Sequence, residues 1–186
     1  KKICLVIKDN AYGHGINEIS SLAKEYGIEN VYVKSDDEAE LVAKYNFNSI
    51  IILNSIKKHS KKNVSCVINS LDDLKFSQKN SNIELKINTG LNRNGICFDQ
   101  INDALKIIKK RNLIISGVFT HFRSSDEDDK FIYSQEKKFN KYVKLIKDKI
   151  HYNFRTHCGN SHSLFKTNHK NYDLFRVGIY AYGYST

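Results

Sequence analysis

Eight short β-rich runs, each followed by a polar or helical stretch, constrain this 186-residue chain more than any other feature. They fall at 3–8, 31–34, 50–53, 65–68, 83–88, 114–120, 152–157 and 174–180. Several are continuously apolar, as strands buried on both faces of a parallel sheet should be. Amphipathic stretches between them predict helices at 16–26, 37–45, 99–110 and 131–149. Parallel neighbours need crossovers of about ten residues or more, and most of these gaps supply that. Eight such units predict a (β/α)8 barrel of TIM type; an open doubly wound sheet is the alternative. The length suits one domain, residues 1–186, more compact than the ~250 residues usual for such barrels.

Composition narrows the function classes. Hydrophobic residues at 40% and charged residues at 27% exclude a disordered or fibrous chain. No apolar run reaches the ~20 residues of a membrane span, and no basic, apolar leader is visible. The net charge of +10 raises a nucleic-acid reading. However, the basic residues are dispersed: Lys57, Lys58, Lys61 and Lys62 form one group, Lys106 to Arg111 another, Lys137 to Lys149 a third. Most interleave with apolar residues as on a solvated helix face, so no nucleic-acid or membrane partner is expected. Cys4, Cys66, Cys97 and Cys158 contain no CxxC pair and read as reduced thiols of a cytoplasmic protein. The spacing of His157, His162 and His169 fits no common metal-ligand pattern, so no metal is expected.

In a barrel of this type the chemistry gathers where strands end at their C-terminal side. The first run closes on Lys8, whose partial desolvation would free its amine for Schiff-base chemistry. A Gly13-His14-Gly15 turn follows. The fifth run brings Lys86, then a loop with Arg93; two cations in one cavity call for an anion. The sixth ends near His121. The seventh ends at His157 and leads to Asn160 and Ser161, small polar residues suited to an anion. The eighth carries Arg176, Gly178 and Ile179, with the glycine allowing close backbone approach to a ligand.

The order VIKDNAYGHG, LKINTGLNRNGI, GVFTHFRSSDE, HCGNS, FRVGIYAYG resembles the alanine racemases, the fold-type III racemases that use pyridoxal 5'-phosphate, over nearly the whole chain. The resemblance implies roles. Lys8 would hold the cofactor and act as one of two bases. Tyr12, Ser161, Gly178 and Ile179 would bind its phosphate, with Asn160 in the same turn. Arg176 would face the pyridine nitrogen, oriented by His157, and His121 would pack against the ring. Arg93 would contact the cofactor's phenolic oxygen or the substrate carboxylate. Lys86 matches a lysine that is carbamylated in many members.

The implied function is interconversion of L- and D-alanine for peptidoglycan synthesis, by a cytoplasmic homodimer. The second base would be a tyrosine of a C-terminal β domain on the partner. With no methionine in the chain and no match to that domain, the sequence is expected to be the barrel portion of a longer protein. By itself it would then be inactive. The alternative is a non-catalytic pyridoxal-phosphate-binding barrel, which would lack the Ala11–Gly15 and Thr89–Gly95 motifs. A decarboxylase with a related barrel would have a glutamate where Arg176 stands.

Overall fold

Continuous apolar runs form the inner wall of the structure. The computed structural model describes residues 3–55, 59, 61–123, 129–163, 166 and 171–184. Lys57, Lys58, His169 and the two residues at each end of the chain lie outside the described residues. The strands are β1 Ile3–Val6, β2 Asn30–Val33, β3 Ser49–Ile52, β4 Val64–Ile68, β5 Asn82–Lys86, β6 Ile114–Phe119, β7 Arg155–His157 and β8 Phe175–Val177. They form one parallel eight-stranded sheet in the order β7-β6-β5-β4-β3-β2-β1-β8. Across the seam, the Asp173 N–H donates to Thr156 O (2.8 Å) and the Arg176 N–H to Gly159 O (3.2 Å), so the barrel is nearly closed.

The helices are α1 Lys8–Tyr12, α2 Ile16–Glu25, α3 Asp36–Val42, α4 Leu71–Phe76, α5 Ile101–Arg111 and α6 Asp129–Lys147. Apolar faces of α4, α5 and α6 pack on the outside of β4 to β6 through Leu74, Ile101, Ile108, Phe139 and Ile146. The outside of β1 to β3 packs on Ile16, Ala23, Ala39 and Val42. The barrel interior holds Cys4, Tyr32, Ile51, Val67, Phe119 and Leu174. Among the described residues no helix is long and apolar enough to cross a membrane.

All eight expected strands are present; the second to fourth keep their length or gain a residue, and the other five are shorter. The first stops at Val6 rather than running to Lys8. The Ile7 N–H still donates to Tyr32 O (2.9 Å) before the chain turns away. The last stops at Val177, because Gly178 breaks it and a 3-10 turn, Ile179–Tyr182, follows. Helix α4 has no counterpart in the sequence reading. It is one and a half turns long, capped by the Ser70 hydroxyl, which accepts from the Asp73 N–H at 3.1 Å.

Candidate active site

Helix α1 is left-handed. Asp9, Asn10, Ala11 and Tyr12 all have φ between 53° and 55°, a conformation costing roughly 1–2 kcal/mol for each L-residue. Four such residues in a row persist only where surroundings fix them. Here the Ala11 N–H donates to Ile7 O (3.0 Å), and the Asn10 side chain accepts from the Ile16 N–H (2.8 Å). Glu38 accepts from the Asn10 N–H (3.1 Å), and Lys34 pairs with Asp9. Tyr182 locks the turn from the other side, its hydroxyl on Val6 O (3.0 Å) and its ring 5.1 Å from that of Tyr12. The result places Lys8 Nζ 5.6 Å from the centroid of the Tyr12 ring at the barrel mouth.

A cavity of about 500 Å³ opens there. Lys8, Tyr12, Lys86, Arg93, His121, Asn160, Ser161, Arg176, Gly178 and Ile179 all line it. Of the residues singled out from the sequence, only His157 does not; it lies beneath, supporting Arg176. A cavity of similar size beside β4 and α4 is lined by Asp73, His59 and Cys66.

In the cavity wall the Ser161 hydroxyl accepts from the Gly178 N–H (3.0 Å), which turns its own proton elsewhere. A Cβ built on Gly178 would sit 2.8 Å from the Tyr12 hydroxyl. Two hydroxyls and a side-chain-free backbone therefore converge on one small space. Asn160 braces this turn by accepting from the Ser163 N–H (3.0 Å), while its own N–H donates to Ser163 Oγ (2.9 Å). Burial, and next the Asp9 carboxylate, raise the Tyr12 hydroxyl's pKa, so it stays a neutral donor.

Arg176, in the same wall, is buried. Its Nη2 donates to Thr120 O (2.7 Å), its Nη1 lies 2.7 Å from His157 Nδ1, and the guanidinium sits 4.9 Å from the Phe119 ring centroid. His157 stacks on the same Phe119 ring, 4.8 Å away and 6° from parallel. Burial, then the charges of Arg176, Lys86, Arg93 and Lys8, push His121 down to about 3, leaving an uncharged imidazole at the wall. Burial and then the Arg93 and Arg176 charges bring Lys86 to about 8, and its ammonium donates to Asn94 Oδ1. Arg93 is exposed at the rim.

This donor set could hold pyridoxal phosphate: it offers an amine that could meet an aldehyde, hydroxyls and a glycine that could cradle a phosphate, and a guanidinium that could face a ring.

The sequence reading missed Glu84, Arg155 and Asn94. Glu84 and Lys86, like Arg155 and His157, stand two apart on one strand and so share a face. That alternation was the available signal.

The sequence profile of the family "Alanine racemase, N-terminal domain" matches residues 1–186. A curated alanine racemase of Campylobacter jejuni subsp. doylei is 37% identical over 186 residues, covering 99% of this chain and 56% of the relative. That of Nitratiruptor is 36% identical over 191 residues, covering 99% and 55%. The chain thus spans about half the length of the curated relatives it matches. Among solved structures, alanine racemase from Corynebacterium glutamicum superposes with a TM-score of 0.84 at 19% identity, over 99% of this chain and 57% of that one. At that identity the likeness shows the shared fold.

Proposed function

Because the chain belongs to the family of alanine racemase N-terminal domains, we propose that it seats pyridoxal phosphate in the barrel mouth and takes part in interconverting L- and D-alanine. The observation that carries this reading is that the Tyr12–Ser161–Gly178 cradle and a buried arginine line one cavity together with Lys8, whose Nζ lies 5.6 Å from the Tyr12 ring. When bound, pyridoxal phosphate supplies a conjugated ring that withdraws electrons and acidifies the Cα–H of an attached amino acid.

The remaining work falls to side chains. Lys8 holds the cofactor and moves a proton at one face of the substrate Cα. Tyr12 and Ser161 donate to the phosphate, with Gly178 and Ile179 bringing backbone close to it. Arg176 donates toward the ring nitrogen. A guanidinium has no lone pair to accept with and does not give up its proton, so that nitrogen stays unprotonated. His121 packs beside the ring as a neutral imidazole. Arg93, at the rim, offers its charge to the substrate carboxylate.

Racemisation needs a second base on the opposite face. Tyr12 is committed to the cradle, and a second copy of the protein, carrying a further domain, is the proposed source. The four cysteines are all free, which supports a reducing, cytoplasmic setting, with supply of D-alanine for peptidoglycan as the role.

Lys8→Ala in the full-length protein should reduce alanine racemisation on the order of a thousandfold or more. Chiral chromatography of L-alanine incubated with enzyme and pyridoxal phosphate measures it. Turnover within tenfold of the parent protein would overturn the assignment.

A further inference from the structure

Barrel interiors of this type are filled mainly by branched aliphatic side chains. Beneath the floor of the mouth this one instead holds a carboxylate, a guanidinium and an imidazole. Glu84 and His157 are fully buried, and neither lines the cavity. The register sets Glu84 opposite Gly117 and Gly117 opposite Arg155. A Cβ on Gly117 would collide with the Glu84 carboxylate and lie 2.8 Å from Arg155 Cγ. The glycine thus makes room for an ion pair across β6.

The two carboxylate oxygens have separate partners. Oε1 accepts from Arg155 Nε (2.8 Å) and Nη2, and from the Ser65 hydroxyl (3.3 Å). Oε2 lies 2.9 Å from His157 Nε2. On its other side His157 meets Arg176, which can only donate, so Nδ1 must be the acceptor. The single imidazole proton then belongs on Nε2, where it needs an acceptor, and Glu84 is that acceptor. Burial drives His157 down to about 4, which keeps it neutral. Burial alone would raise Glu84, but the Arg155 charge and the His157 hydrogen bond outweigh it and keep the carboxyl ionised.

We infer that Glu84 is a positioning residue for Arg176: by accepting the Nε2 proton of His157 it fixes the tautomer whose bare Nδ1 anchors the guanidinium under the mouth. The consequence for reaction rests on the cofactor reading above; the tautomer itself does not.

A single-atom change separates this role from plain packing. In Glu84→Gln the amide oxygen stays with Arg155, whose two N–H groups demand an acceptor. The amide nitrogen then faces His157 and donates to Nε2. The imidazole proton is driven to Nδ1, directly against the Arg176 donor, and Arg176 loses its Nη1 acceptor while keeping Thr120 O on Nη2. Removing the Arg155 donors as well, in Glu84→Gln with Arg155→Met, frees the amide to turn. Its oxygen returns to His157 and its nitrogen donates to the Ser65 hydroxyl, restoring the original tautomer.

Nitrogen-15 NMR of the histidine-labelled full-length protein at pH 7, with and without pyridoxal phosphate, reads the tautomer directly. The parent protein should show a pyridine-like Nδ1 and a pyrrole-like Nε2 at His157. Glu84→Gln should invert them, and the double variant should revert. The turnover number for alanine should fall about tenfold in Glu84→Gln, the scale of one lost hydrogen bond to a charged group, and recover in the double variant. A packing role predicts instead that the second substitution adds to the damage. An unchanged tautomer in Glu84→Gln, or no reversion in the double variant, overturns the inference. Should Glu84→Gln not fold, a proton on Nδ1 in the parent protein overturns it equally. Failure of the parent protein to bind pyridoxal phosphate would sink the proposed function and leave the tautomer result standing.

Discussion

At the scale of single residues, Gly178 has little freedom. Its N–H is held by Ser161, and a side chain there would press on the Tyr12 hydroxyl at 2.8 Å. Contacts that close force the neighbour to move, and Tyr12 is pinned by the left-handed turn behind it. Gly178→Ala should therefore weaken pyridoxal phosphate binding about tenfold or more, as one displaced charge-assisted hydrogen bond would. A fluorescence titration measures this; an unchanged dissociation constant would show that the cradle has slack. Residues of this kind were legible in the sequence because each ends a strand or starts the loop after it. Glu84 and Arg155 were not, because they stand mid-wall or at a strand's start. A lone acidic residue in an apolar run carries no visible partner when that partner lies 71 positions away.

At the scale of elements, the apolar runs reveal that strands exist but not where they stop. Strand β7 keeps three residues of an expected six because the incoming chain through Tyr152 and Phe154 packs as a loop, Tyr152 capping β6 through the Ile115 N–H (3.0 Å). The left-handed turn was invisible for a different reason: none of residues 9–12 is glycine, and although Asp9 and Asn10 tolerate positive φ singly, nothing local favours four such residues in a row. Tertiary contacts impose it. Strand β6 carries its own constraint at Gly117, which leaves space for the Glu84–Arg155 pair on its two neighbours. Gly117→Ala should cost about 2 kcal/mol or more, since it overpacks the wall and parts a buried ion pair. Urea denaturation reads this as a lowered midpoint. An unchanged midpoint would mean the pair has room to shift.

At the scale of the whole molecule, a nearly closed parallel barrel brings ten residues, scattered from position 8 to position 179, around one cavity of about 500 Å³. The eightfold alternation of runs made that topology legible, and the strand-end rule located the mouth. Alternation along β5 and β7 could put Glu84 and His157 on inward faces, but it could not show that they join Arg176 in one charged layer across the interior. The mouth holds several amines, so which of them engages the cofactor decides the reading. The most direct measurement is to load the full-length protein with pyridoxal phosphate, reduce with borohydride, and map the labelled peptide. The label is predicted on Lys8; a label on Lys86 or Lys34, with Lys8 unmodified, would contradict the assignment.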